Sequence, residues 1–179
     1  KVFIFEMIKQ KEEKLNNIYG VNLHSTPNKP KKYRPNPNLY TFFVALGVRL
    51  LKDKGKLCYI IPQTILTAGD LDVIRYHLAK FTTIEKIIIF GGKMFIGRGL
   101  RQNKQVATSS LIFVLNRKMP EPLHKIEIIN YKNSNDNIEK TLQNILNGKN
   151  ISKNNILQKK LLDNFTSWNF VKQSKKFLD

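Results

Sequence analysis

Along residues 38–118 the apolar positions switch between a helical period and unbroken runs. Leu39, Phe42, Phe43, Leu46, Leu50 and Leu51 recur at three- and four-residue spacing and predict an amphipathic helix over roughly 38–53, with those side chains as its buried face. Asn36 or Asn38 is its expected cap, and Gly55 in "DKGK" its left-handed stop. "KLCYIIP" then reads as a continuous apolar strand, the mark of a sheet covered on both faces. A second helix follows over 69–81, with Leu71, Ile74, Leu78 and Phe81 inward, and "TIEKIIIF" is a second buried strand closed by Gly91 and Gly92. After a glycine-rich loop, residues 107–116 form a third strand, and "HKIEIINY" suits a further one. Helix–strand–helix–strand with short connections predicts an α/β sheet.

The flanks have a different texture. Residues 3–19 have helical spacing and stop at Gly20, and residues 20–37 hold four prolines and a basic run, which predicts a loop. Beyond 118 the chain is rich in Asn and Lys, with weak helical patterns near 136–147 and 153–164. Three parts are therefore expected: 1–37 as an N-terminal helix with a basic Pro-rich loop, 38–118 as the α/β part, and 119–179 as a loosely held connector.

Charge adds a partner class. The 179 residues carry a net charge of +18 and a pI near 10, which favours a polyanion such as nucleic acid. An AT-rich coding sequence would also raise Lys, Asn and Ile, so placement of the charge matters more than its sum. No apolar run approaches the roughly 20 residues that span a bilayer. The lone Cys58 suits a reduced, cytoplasmic protein. His24, His77 and His124 are scattered, which gives no metal site.

Candidate chemistry concentrates in one loop. From Lys86 to Pro120 there is no acidic residue, while Lys93, Arg98, Arg101 and Lys104 crowd into "GGKMFIGRGLRQNKQ" among four glycines. Such a loop holds phosphates, or it is simply a solvated connection. Phe95 within it is either a platform for an unpaired base or a plug for the end of the sheet. Nucleophilic catalysis finds no support, because Ser109 and Ser110 have no positioned His. Asp70 and Asp72 sit at a helix start, where carboxylates favour the positive end of the helix dipole.

The ordered pieces "NLYTFF", "KDKGK", "LCYIIP", "TIEKIIIF" and "ATSSLIFVLNRK" resemble gamma-class N6-adenine DNA methyltransferases, the TaqI-like and type IIG restriction–modification enzymes. The resemblance covers residues 38–118, and "LLDNFTSWNF" resembles the family's connector toward a target recognition domain. It implies the C-terminal half of a Rossmann-like, S-adenosylmethionine-dependent methyltransferase fold, with a mostly parallel sheet and an antiparallel last strand. It implies that Phe43 packs against the cofactor adenine and that Phe95 stacks on a target adenine flipped out of double-stranded DNA. Lys93, Arg98, Arg101 and Lys104 would contact DNA phosphates, while Tyr40 and Pro62 shape the pocket.

The departures set further expectations. The family's Asn-Pro-Pro-Tyr tetrad and glycine-rich cofactor loop are absent, and Asn36-Pro37-Asn38 lacks the tetrad's second proline and aromatic. No catalytic residue is therefore expected within the chain. The tetrad should lie just upstream of Lys1, and the chain alone should be inactive. An RNA or protein methyltransferase and a non-catalytic nucleic-acid-binding module are the alternatives. An open half-sheet predicts self-association through its edge.

Overall fold

The computed structural model describes residues 25–26, 29–30, 38–91, 95–98, 105–131, 138–149 and 151–172. The helix expected over 3–19 lies outside them. Within the proline-rich stretch two short strands, β1 (Ser25–Thr26) and β2 (Lys29–Pro30), pair antiparallel.

Helix α1 spans Leu39–Leu50. It starts where the Asn38 carbonyl accepts both the Thr41 amide and its hydroxyl, at 3.0 and 2.6 Å. At its other end the Arg117 guanidinium donates to the carbonyls of Arg49 and Leu51, groups that a helix terminus leaves unpaired. The expected glycine stop is shifted by one residue. Lys54, at φ 60°, takes the left-handed conformation. Gly55 is needed for space, because a Cβ there would sit 2.8 Å from the Lys52 carbonyl oxygen.

The predicted inward face of α1 is also rotated. Thr41, Val44 and Ala45 are buried, whereas Phe43 is 54% exposed, Leu46 45% and Leu50 73%. Close approach to the next strand decides this. A Cβ on Gly47 would meet the side chains of Leu57 and Tyr59 at 3.2–3.3 Å, so the side bearing Gly47 lies against the sheet.

The main sheet has the order β3 (Lys56–Pro62), β7 (Ser110–Asn116), β4 (Thr83–Phe90), β8 (Lys125–Tyr131), β9 (Ile151–Leu157). β7 runs antiparallel to both β3 and β4, which therefore point the same way, and β8 is parallel to β4. β9 closes the far edge antiparallel to β8. The expected antiparallel strand is present, inserted between two strands that precede it in sequence. The sheet as a whole is mixed, with three of its five strands pointing one way.

One face of this sheet is the core. Ile61, Leu111, Phe113, Leu115, Ile84, Ile87, Ile126 and Ile128 line up on it by register. Helix α2 (Asp72–Phe81) buries Val73, Ile74, Leu78 and Ala79 in that core. On the opposite face the cross-strand row Ile60, Ile112, Ile88 and Ile129 is set by pairing; Ile60 at the edge is 50% exposed, and the other three are half-buried.

The tail is held more firmly than its composition predicts. Helix α3 (Ile138–Leu146) matches the first weak pattern, whereas residues 153–157 of the second belong to strand β9, and only its later part is helical, as α4 (Gln158–Asp163). Trp168 is fully buried, its ring 6.2 Å from that of Phe113, and its indole N–H donates to the Leu161 carbonyl at 2.8 Å. Gln158, 2% exposed, donates to the carbonyls of Ala79 and Thr82 and accepts from the Ile84 amide, where β4 shifts register. A buried amide saturated in this way ties α2, β4 and α4 together.

Candidate functional site

The carboxyl ends of β3 and β4 and the start of β7 meet at one end of the sheet, the place where open α/β sheets bind ligands. Gln63, the residue after Pro62, makes that junction. Its side-chain N–H group donates to the carbonyls of Phe90 at 2.7 Å and Ser110 at 3.0 Å, and its backbone amide to that of Ser109 at 2.9 Å. One residue thus fixes three strand ends. Glutamine is suited to this because a single side-chain amide carries two donors.

Beside this junction opens a cavity of about 480 Å³, lined by Asn38, Pro62, Gln63, Thr64, Thr67 and Ser109, with Lys172 from the tail. Its volume is within the roughly 300–1,000 Å³ usual for small-ligand sites. Tyr40 supports the wall by sharing a 3.0 Å hydrogen bond with Thr64. Burial raises its pKa above the ordinary phenol value, although the Thr64 bond and nearby Arg75 pull it down. Tyr40 is therefore a neutral hydroxyl that shapes the wall, as Pro62 does.

Behind the cavity Arg75 is fully buried, with four backbone carbonyls as its partners: Ile65, Ala68, Phe165 and Thr166. Burial lowers its pKa to about 10, with Asp72 and Tyr40 acting in the opposite direction, so it remains cationic at neutral pH. Two of the carbonyls belong to the loop after β3 and two to the tail. Arg75 therefore fixes the tail against the loop that lines the cavity.

The expected site residues fall in different places. Strand β5 (Phe95–Arg98) pairs antiparallel with β6 (Gln105–Thr108), so part of the expected glycine-rich loop is a hairpin. Phe95 is paired with Thr108, the neighbour of the cavity residue Ser109. This brings the Phe95 backbone close to the cavity; the side chains of Phe95 and Arg98 are outside the described residues. Lys93, Arg101 and Lys104 also lie outside them. Phe43 stands on α1 one turn beyond Tyr40, exposed and not part of the cavity lining. Asp72 is buried in the first turn of α2, where its carboxylate accepts from the Val73 amide.

Gln63, Arg75 and Lys172 were missed by the sequence reading. Gln63 follows a strand-ending proline, a weak signal for a junction. Arg75 stands within a helical pattern where an exposed cation would be equally ordinary, and Lys172 is one lysine in a lysine-rich tail. Among the described residues no cluster of His, Cys, Asp or Glu could hold a metal ion. No described helix is long and apolar enough to cross a membrane.

Two parallel strands with an antiparallel strand inserted between them, above a cavity at their carboxyl ends, define the second half of a Rossmann-like methyltransferase sheet. The comparisons agree with this class. Residues 10–95 match the family described as Eco57I restriction-modification methylase, which bears out the resemblance drawn from the motifs. A curated relative from Thermus thermophilus, the Type II methyltransferase M.TthHB8I, is 36% identical over 61 residues, 34% of this chain. The chain spans only 14% of that relative's length. Among solved structures, the type IIG restriction endonuclease BpuSI superposes with a TM-score of 0.59 at 17% identity, over 93% of this chain and 19% of BpuSI. A type I restriction–modification assembly gives 0.52 at 12% identity, over 88% of this chain and 38% of its own. At these identities the two structures speak for the fold.

Proposed function

We propose that this chain forms the second half of the catalytic domain of a site-specific DNA methyltransferase of a restriction–modification system. In this reading the enzyme transfers a methyl group from S-adenosylmethionine to the N6 amine of an adenine flipped out of the duplex. The carrying observation is the cavity at the carboxyl ends of β3 and β4, with Pro62 and Gln63 in its wall and the Phe95–Thr108 pair beside it. The match of residues 10–95 to a restriction–modification methylase family supports the same reading.

The chemistry asks mainly for positioning. An amine inside a base stack is out of reach, so the base must leave the duplex and be held by stacking and hydrogen bonds. Phe95 supplies the stacking face, and Lys93, Arg98, Arg101 and Lys104 hold backbone phosphates nearby. S-adenosylmethionine, when bound, supplies an electrophilic methyl group. Phe43, 54% exposed, offers its ring to the cofactor adenine. The polar groups that orient the amine belong to the Asn-Pro-Pro-Tyr tetrad, which this chain does not contain. Oriented transfer of this kind needs no covalent enzyme intermediate.

The test is methyl transfer from labelled S-adenosylmethionine into duplex DNA by the complete methyltransferase, as wild type and as Phe95→Ala. Label is expected in N6-methyladenine. Losing a stacking contact worth about 1–3 kcal/mol should lower transfer by roughly 5- to 150-fold. Label in RNA or protein, and none in DNA, would overturn the reading.

A further inference from the structure

We propose that Lys172 is a phosphate-binding residue of the cavity, and that the tail is folded back in order to deliver it there. The inference rests on the DNA-methyltransferase reading and adds to it a contact from outside the glycine-rich loop. Lys172 stands at the end of a short 3-10 turn, Asn169–Lys172, far along the chain from the strand ends whose cavity it lines.

Several contacts fix that turn. The Trp168 amide donates to the Leu66 carbonyl at 2.7 Å, and the Val171 amide donates to the Trp168 carbonyl at 3.0 Å. Val171 is buried, and Arg75 holds the carbonyls of Phe165 and Thr166 just upstream. Lys172 is therefore carried by anchored backbone, although its own side chain is exposed. Leu66, which receives the Trp168 amide, lies between the cavity residues Thr64 and Thr67, so the anchor and the cavity share one loop.

The electrostatics favour an anion. Among the described residues, none that lines the cavity is acidic. Other lysines form ion pairs, Lys56 with Glu85, Lys86 and Lys153 with Glu127, and Lys118 with Glu121. Among the described residues Lys172 has no such partner, and neither has Lys159; what sets Lys172 apart is its place in the cavity lining. A cation beside a polar lining attracts a negative group, and the hydroxyls of Thr64 and Thr67 can donate to its oxygens. A phosphodiester suits this set, because one ammonium neutralises its single charge and the neutral groups hold its oxygens. A compact ammonium on a flexible stem binds phosphate as a point charge and does not read sequence. Lys172 would therefore fix the nucleic-acid backbone beside the cavity that receives the base.

Binding of a labelled DNA duplex to the complete methyltransferase, followed by fluorescence anisotropy across a salt series, tests the assignment. Lys172→Gln should reduce the slope of log affinity against log salt by about 0.9, the share of one phosphate contact. Lys172→Arg should restore it. Lys159→Gln removes an equal charge from an exposed position on α4 and should leave the slope near wild type. A Lys172→Gln slope equal to wild type, or equal to that of Lys159→Gln, overturns the assignment while leaving DNA as the partner. A wild-type complete methyltransferase that binds no duplex overturns the DNA-methyltransferase reading as well.

Discussion

Arg75 is a buried cation without a directly bonded carboxylate, satisfied by the carbonyls of Ile65, Ala68, Phe165 and Thr166. A guanidinium can serve four carbonyls because its donors diverge in one plane, which an ammonium cannot match. Arg75→Met should therefore cost on the order of 3–5 kcal/mol in urea unfolding, since it strands buried acceptors. Arg75→Lys should recover only part of that. His77 is a second residue with a buried polar ring. Burial, and secondarily Lys80, lowers its pKa to about 4 from 6.5. The unfolded chain then binds a proton that the folded chain refuses between about pH 6.5 and pH 4. Stability from this group is complete above pH 6.5, falls as pH drops through that window, and is constant below it. The loss amounts to about 3 kcal/mol. His77→Phe should flatten the window in urea titrations at about pH 4.5 and about pH 7.

At the scale of elements, packing decides which face of each segment is inside. Helix α1 turns Thr41, Val44, Ala45 and Gly47 toward the sheet and leaves Phe43, Leu46 and Leu50 exposed. Leu50→Lys should therefore change unfolding stability by no more than about 0.5 kcal/mol, whereas Val44→Ala should cost about 1 kcal/mol or more. The tail gives the reverse case, since a segment expected to be loosely held supplies Leu161, Trp168 and Val171 to the core. Trp168→Ala should cost about 3–5 kcal/mol and should also weaken the Lys172 contact, because the buried indole, bonded to the Leu161 carbonyl, packs the segment that carries the turn into the core. A combined fall in stability and salt slope would be the signature.

For the whole molecule, β3 is the edge strand of the main sheet among the described residues, and an unpaired strand edge can pair with another chain. We take the self-association expected from an open edge as a proposal, with a concentration-dependent mass in sedimentation as its expected outcome. Ile60→Lys, which places a charge at a half-exposed position of the edge strand β3, should reduce that association without unfolding the core.

The periods of the apolar residues determined the helices and the main-sheet strands from 38 to 131, but not the β5–β6 hairpin, where a loop was expected. Residues 107–116 read as a strand, and the motif order supplied its antiparallel sense and the methyltransferase class. These features were legible because periodicity is local and the motifs are short contiguous runs. The tertiary structure alone decided that β7 lies between β3 and β4, that α1 is rotated about its axis, and that the tail docks through Trp168. It also decided which polar residues matter. Gln63, Arg75 and Gln158 take their roles from carbonyls that are distant in sequence, and Lys172 from a cavity whose other walls lie far back along the chain. Apolar burial is written in spacing along the chain. A buried hydrogen bond is written only in where two distant backbones meet, and that meeting exists only once the sheet has formed.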